Sequence, residues 1–306
     1  MLKPDTEPEK GKNLHQSSPA TVSEVIRTRY DALTRAERQL AESLLANYPV
    51  SGLGSITTLA ENAGVSTPTV ARMVQKLGYK GYPEFQAGLR QELEATISNP
   101  IAKHDRWASN APGLHILNRF ADAITGNLRE TLSELDTADF DSAAALLSDR
   151  KRAVYFVGGR ITGAIAEYFF THMQVIRPKT ALMSSNSSSW PQYMLNMNGG
   201  DVLVIFDIRR YEQDMVTLAE VAHGNNVTIL LFTDQWTSPV SRFASHTFRV
   251  HIEAPSAWDS SVVTLFVVEA LIEAVQNNGW DETRQRMNAL EGLFEQTRLF
   301  RKPAPP

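Results

Sequence analysis

The stretch "RAVYFVGGRITGAIAEYFF", Arg152 to Phe170, decides the fold of the larger part of this chain. An apolar segment runs through two glycines into residues whose apolar members recur at helical spacing. Strand, tight turn and helix in that order make the first unit of a parallel α/β sheet. The same order opens a dinucleotide-binding domain, where G-x-G-x-x-G brings a pyrophosphate onto the backbone. Here Arg160 stands where the second glycine belongs, and the next strand ends in "KTALMSSNSSS", with no acid for a ribose hydroxyl. No Walker pattern follows, because Ala164 comes after Gly163. The nicotinamide and phosphoryl-transfer readings both fail on these residues.

Further strands are expected at 180–183, 202–207, 227–232 and 247–250, after the first at 153–157. Helical stretches separate them, so a five-stranded parallel sheet flanked by helices is expected. An amphipathic helix over about 114–135 leads in, and helices over 260–277 and 281–299 follow the last strand. Asp259 or Ser260 is the expected cap of the first of these. The tail "RKPAPP" closes the sequence.

Composition is that of a globular protein. The chain has 306 residues, 42% hydrophobic and 21% charged, enough for about two domains. It has no cysteine, which excludes disulfides, thiolate metal sites and cysteine nucleophiles. No apolar run reaches about 18 residues, so no membrane span is expected, and a cytoplasmic location fits. Residues 1–20 are polar and mixed in charge and read as a disordered tail. The net charge of −4 argues against nonspecific coating of nucleic acid. A local basic face is still present. From Ser66 to Arg90 the only acid is Glu84, against Arg72, Lys76, Lys80 and Arg90.

That basic segment lies in a purely helical region, 21–97, which a polar, proline-containing linker at 98–113 separates from the sheet. Val25, Ile26 and Leu33 mark a first helix, and Thr34 with Glu37 makes a capping box for the second. Ser55 can cap a third helix. "AGV" at 63–65 turns with Gly64, Thr67 can cap a fourth with Pro68 at its first position, and Gly78 ends it. "LAENAGVSTPTVARMVQKLG" therefore has helix-turn-helix length and spacing. Val70, Met73, Val74 and Leu77 form its inward stripe, leaving Ser66, Thr67, Thr69, Arg72, Gln75 and Lys76 outside, with Lys80 beyond. Hydroxyls and helix-end N–H groups suit phosphates, Arg suits guanine and Gln suits adenine. A solvated face of an ordinary helical bundle has the same pattern.

The segment 33–93 resembles the N-terminal domain of the RpiR/MurR family of bacterial transcriptional regulators. Its S-x-x-T-V-x-R appears as Ser66, Thr69, Val70 and Arg72, and its LG-[FY]-x-G-[FY]-x-E-F as Leu77, Gly78, Tyr79, Gly81, Tyr82, Glu84 and Phe85. Met73 replaces the usual Phe. The resemblance implies binding of a double-stranded DNA operator.

The second region, 114–277, is similar to the flavodoxin-like sugar isomerase (SIS) domain that follows in the same family. Ligands of open α/β sheets bind at the carboxyl ends of the strands. Gly158, Gly159, Arg160 and Thr162 lie there beside a helix N-terminus, with Ser184 and Ser185 after the second strand and Arg209 and Arg210 after the third. Such donors suit a phosphate or carboxylate. Two departures stand out: Arg160 and Thr162 replace the glycine and serine of G-x-G-x-S, and "DIRRYEQD" replaces S-x-S-G-x-T outright. A sugar phosphate or related small acid is the implied effector. Arg209 and Arg210 could instead be structural, paired with Asp207, Glu212 or Asp214, or placed at a subunit interface.

The remaining candidates are few. The seven histidines show no metal-ligand spacing and no metal site is expected. "TDQWTSPV" at 233–240 could line the same crevice, and Glu269 could be a base in an isomerase or a buried acid paired with an arginine. No other base, nucleophile or divided carboxylate pair appears, so no catalytic residue and no cofactor are assigned. The expectation is a regulator, dimer or dimer of dimers, whose SIS-like part senses a small anion and controls operator binding. The competing reading is a sugar-phosphate isomerase with an accessory helical domain.

Overall fold

The computed structural model describes residues 21–46, 48–97, 100, 101, 103 and 115–300. The tail expected at 1–20, the closing "RKPAPP" and nearly all of the expected linker lie outside the described residues.

The helical region consists of α1 (Val22–Thr28), α2 (Arg35–Ala46), α3 (Ile56–Asn62), α4 (Thr67–Lys76) and α5 (Tyr82–Ile97). They close on one core that includes Ile26, Leu40, Leu44, Leu59, Val70, Met73, Phe85 and Leu89. Burying such side chains contributes about 1.5–3 kcal/mol each, which is what holds helices this short. Leu33 belongs to that core but lies past the end of α1. Gly64 makes the turn between α3 and α4 at φ +65, a conformation that side-chain-bearing residues rarely adopt. Ser55 caps α3 as expected, its Oγ accepting from the Thr58 N–H at 3.0 Å. Two caps differ from expectation. Thr67 is already inside α4, after Ser66 as the N-cap residue, and Ser66 makes no side-chain bond to the helix backbone. For α2, Glu37 accepts from the Thr34 N–H at 2.8 Å, while the complete capping box belongs to α1, between Thr21 and Glu24.

The α/β region begins with α6 (Ile116–Glu134) and α7 (Thr137–Ser148), then continues β1 (Val154–Gly158), α8 (Gly163–Ile176), β2 (Thr180–Leu182), α9 (Trp190–Met194), β3 (Val202–Phe206), α10 (Gln213–Gly224), β4 (Thr228–Asp234) and β5 (His246–Val250). Helices α11 (Val262–Asn278) and α12 (Trp280–Thr297) complete it. All strands pair in parallel in the order β2-β1-β3-β4-β5. Successive residues face opposite layers. Phe156, Val204, Phe206, Leu230, Phe232 and Phe248 pack toward α7, α8 and α11, with Phe206 stacked on Phe232 at 4.5 Å. Tyr155, Val157, Leu203, Ile205, Ile229 and Leu231 pack against Met215 and Ala219 of α10. The chain leaves β1 toward one edge and β3 toward the other. The crevice at their carboxyl ends is therefore the point where strand order reverses, the place where such sheets bind ligands.

One buried cation ties the sheet to its helices. Arg177 is 1% exposed and donates to the carbonyls of Leu147, Asp149, Arg152 and Pro178. Two of these carbonyls close α7, where a positive charge also complements the helix dipole. Burial lowers the guanidinium's proton affinity to about 10, so it stays charged at neutral pH. Arg177→Leu should destabilise this region by about 3 kcal/mol or more, because it leaves several buried carbonyls without a donor. Urea unfolding followed by tryptophan fluorescence would measure the loss.

Candidate functional site

Helix α4 is the second helix of the helix-turn-helix and presents an outer face. Ser66, Arg72, Gln75, Lys76 and Lys80 are exposed, and Thr67 is half-buried. Thr69, expected outside, is buried. Its Oγ1 lies 2.9 Å from Ser66 Oγ and accepts from Arg72 Nη2 at 3.4 Å, so it supports the exposed residues from beneath. Lys76 is engaged as well. Its ammonium sits 2.7 Å from the buried Glu37 carboxylate and pins α4 to α2, while Arg29 donates to the Lys76 carbonyl. Burial pushes the Glu37 carboxyl up, but hydrogen bonds from Lys76 and Thr34 outweigh it and hold the group below its ordinary range. Arg72, Gln75 and Ser66 carry the face.

At the carboxyl edge of the sheet, Gly158 and Gly159 shape the β1–α8 turn. A Cβ on Gly158 would stand 2.6 Å from the Thr162 backbone, so only glycine fits. Several of the turn's own donors are engaged. The Gly159 N–H donates to Thr162 Oγ1 at 2.8 Å, and Thr162 Oγ1 in turn donates to the Phe206 carbonyl at 2.8 Å, joining β1 to β3. The first amides of α8, from Gly163 to Ala166, bond to carbonyls of 159–162. The Arg160 N–H donates to Glu212 Oε1 at 3.1 Å. A protein carboxylate thus occupies the position that an anion on this turn would take. The helix-end anion site expected from sequence has the Glu212 carboxylate against it.

The open space lies beside it. A cavity of about 200 Å³ is lined by Arg160, Thr162, Arg209, Arg210, Lys103 and the 257–261 segment, among others. Among the described residues, four cations and one carboxylate, Asp259, face it. Ser184 and Ser185 do not line it. Ser184 instead accepts from the Asn186 N–H at 3.1 Å through its Oγ, and from Trp190 Nε1 at 2.7 Å through its carbonyl. The residues that sequence reasoning missed are Lys103, Asp259, Ser260 and Ser261. Lys103 falls within the expected linker, yet its side chain is 4% exposed and its Nζ lies 2.5 Å from Asp259 Oδ1. Of the two expected caps, Asp259 and Ser260, it is Ser260 whose Oγ accepts from the Val262 N–H, at 3.3 Å, with Ser261 at the N-cap position.

Arg209 is the centre of this group. Its side chain is 2% exposed, 3.6 Å from Asp259 and 3.7 Å from Glu253 as ion pairs, with its guanidinium carbon 3.8 Å from the Trp236 ring centroid. None of its guanidinium nitrogens makes a hydrogen bond among the described residues. Its acid partners are therefore not Asp207, Glu212 or Asp214. The "TDQWTSPV" segment lies under the crevice rather than along it. Asp234 accepts from the Arg209 N–H at 2.7 Å, the Tyr211 hydroxyl at 2.6 Å and the Trp236 N–H at 3.0 Å. Asp207 accepts from the Ser238 hydroxyl. Glu269 is exposed, accepts from the Tyr168 hydroxyl at 2.9 Å and pairs with no arginine among the described residues.

Residues 20–96 match the family described as "Helix-turn-helix domain, rpiR family", and residues 146–274 match the SIS domain. The chain thus carries an rpiR-family helix-turn-helix domain followed by a SIS domain. It is 28% identical over 266 residues to the HTH-type transcriptional regulator HexR of Pseudomonas aeruginosa, covering 82% of this chain and 88% of that one. Against HexR of Escherichia coli the identity is 24%, over 90% of this chain and 95% of that one. The fold is shared with the sugar isomerase domain of an RpiR transcription factor from Sphaerobacter thermophilus, at TM-score 0.52 and 20% identity, over 57% of this chain and 97% of that one. It is also shared with the Vibrio vulnificus NanR protein complexed with ManNAc-6P, at TM-score 0.52 and 17% identity, over 92% and 100% of the two chains. No described helix is long and apolar enough to cross a membrane.

Burial pushes the Asp207 carboxyl of the regulator up to about 7, against the pull of hydrogen bonds from Ser238 and the Glu212 N–H. Between about pH 4 and pH 7 the folded state keeps a proton that the unfolded chain releases, so this group's contribution to stability falls as pH rises through that window. Asp207→Asn should flatten that slope. Urea midpoints at about pH 5 and about pH 8 should then differ less in the variant than in the parent.

Proposed function

We propose that this regulator reads a two-fold operator with α4 and holds a small anionic metabolite, a sugar phosphate or related sugar acid, in the Arg209 cavity. The buried guanidinium without a hydrogen bond carries the second half of this reading. A desolvated arginine with no hydrogen-bond acceptor is costly, and a bidentate carboxylate or phosphate would satisfy it. The excess of cations on the cavity wall supports the same ligand charge. The ManNAc-6P bound by the NanR protein makes a phosphorylated sugar a reasonable first probe. A volume of about 200 Å³ favours a small molecule, below the range of roughly 300–1,000 Å³ that drug-sized ligands occupy.

The operator assignment rests on Ser66, Thr67, Thr69, Arg72, Gln75, Lys76 and Lys80, in three roles. Arg72 and Gln75 are placed for base edges, Ser66, Thr67 and Lys80 for phosphates, and Thr69 and Lys76 as supports that hold α4. Helix-turn-helix readers bind paired half-sites as dimers, so a dimer or dimer of dimers in the cytoplasm is proposed. Effector control then follows from linkage: a ligand that prefers one arrangement of the subunits shifts operator affinity by its difference in affinity for the two. The isomerase alternative has Glu269 as its one candidate base, and that residue's exposed position away from the cavity weighs against it.

Arg72→Ala should weaken operator binding by about 1–3 kcal/mol and leave the oligomer intact, as read by fluorescence anisotropy and sedimentation. Full operator affinity in that variant would remove the base-contact assignment. Arg160→Ala, at an exposed residue, should weaken binding of a phosphorylated sugar or sugar acid about tenfold by calorimetry, and Arg209→Met should lose it, with DNA binding retained in both. Affinities unchanged in both would place the effector elsewhere. Turnover of an aldose or ketose phosphate, lost in Glu269→Ala, would favour the isomerase.

A further inference from the structure

The two regions of the chain meet at a cluster that neither DNA reading nor the effector cavity uses. His251, just past β5, is 4% exposed, and its Nε2 lies 3.5 Å from Glu24 Oε1 of α1 and 3.5 Å from Glu134 Oε1 of α6. The three ligand-type atoms all fall within 4.8 Å of one another. Neither imidazole nitrogen, nor Glu24 Oε1, is aligned for a hydrogen bond with any described residue. Buried polar atoms in native proteins are seldom left that way.

Glu24 and the His251 backbone are held in place by further hydrogen bonds. The capping box of α1 fixes Glu24: its Oε2 accepts the Thr21 N–H at 2.5 Å, which leaves Oε1 turned toward His251. On the far side of the ring, Glu130 Oε2 lies 3.2 Å from Nδ1. A carboxylate there favours the Nδ1–H tautomer and aims the Nε2 lone pair at Glu24 and Glu134, the arrangement found behind metal-bound histidines. The His251 N–H donates to Thr131 Oγ1 at 3.0 Å, which sets the backbone. In a tetrahedron with bonds of about 2.1 Å, neighbouring ligand atoms stand about 3.4 Å apart. The two spacings to Nε2 match that edge. A cavity of about 470 Å³, lined by Glu24 and Glu134 among others, opens beside the cluster, and the Glu134 side chain, 33% exposed, marks an entry path. Arg27 and Arg249 bring positive charge to the same interface, where Glu24, Glu130 and Glu134 outnumber them.

We propose that Glu24, Glu134 and His251 bind a divalent transition metal of the zinc type, with Glu130 as the positioning residue behind the imidazole. One nitrogen and two carboxylate oxygens suit zinc, cobalt, nickel or iron better than magnesium or calcium, which take oxygen ligands. The bound ion clasps α1 of the DNA-reading region to α6 and β5 of the SIS domain.

Full-length protein, stripped with chelator, would be titrated with Co²⁺ followed by visible absorption, then with Zn²⁺ and Mg²⁺ by calorimetry. The expected result is one Co²⁺ or Zn²⁺ ion per chain, ligand-field bands, a raised melting temperature and little response to Mg²⁺. His251→Gln and Glu134→Gln should each weaken Zn²⁺ about tenfold or more, and Glu130→Gln should weaken it less. Glu134 is partly exposed, so its variant should fold normally, and the metal-free melting temperature checks this. The proposal is overturned by no binding to the parent protein, or by equal binding in the parent and all three variants. These readouts need no operator or effector, so they stand apart from the proposed function.

Discussion

Asp234 is the interaction on which the crevice depends. A parallel sheet covered on both faces leaves its polar chemistry to the loops at one edge. Those loops carry backbone N–H groups that need partners once they are buried. The wholly buried Asp234 carboxylate supplies them, fixing Arg209, Tyr211 and Trp236 around one point. Burial raises its proton affinity while these donors and the Arg209 charge oppose the rise. Trp236 then packs on the Arg209 guanidinium, so the carboxylate sets both the position and the wall of the buried cation.

The crevice of this chain is a rebuilt version of a widespread site. A turn of small residues with open amides usually invites an anion onto the backbone. Here the turn keeps its glycines, but Thr162 and Glu212 have taken its donors. Positive charge has moved to side chains, above all Arg209, Arg160 and Lys103. The selectivity of such a site comes from guanidinium geometry and from what neutralises each cation in the free state, not from the backbone cradle. Asp259 is that neutralising group, shared between Lys103 and Arg209.

Much of this was legible in the sequence, where the physics is local. The helix-turn-helix followed from short-range signals: a glycine turn, apolar residues at 70, 73, 74 and 77, and a glycine stop. The strands followed from compact apolar runs, and their observed bounds lie within two residues of expectation at either end. Helix α7 was not anticipated. Its stretch reads "TADFDSAAALLS", apolar without a marked stripe, so periodicity gave no signal. Arg160 and Arg209 were found by their place at strand ends, but the acid partners of Arg209 were not, since Glu253 and Asp259 come from a distant loop. Lys103 was hidden by its polar, proline-containing surroundings. The cluster at 24, 130, 134 and 251 has no spacing that a motif could express; only the i, i+4 relation of Glu130 and Glu134 is local.

The buried position of Lys103 makes the connection between the two regions a short leash. The residue lies six positions past Ile97, the last of α5, and its ammonium is anchored on the wall of the Arg209 cavity. Six residues reach at most about 20 Å even when drawn straight. The end of α5 is therefore held within that reach of the cavity wall, and the Lys103–Asp259 pair fixes the length of the tether.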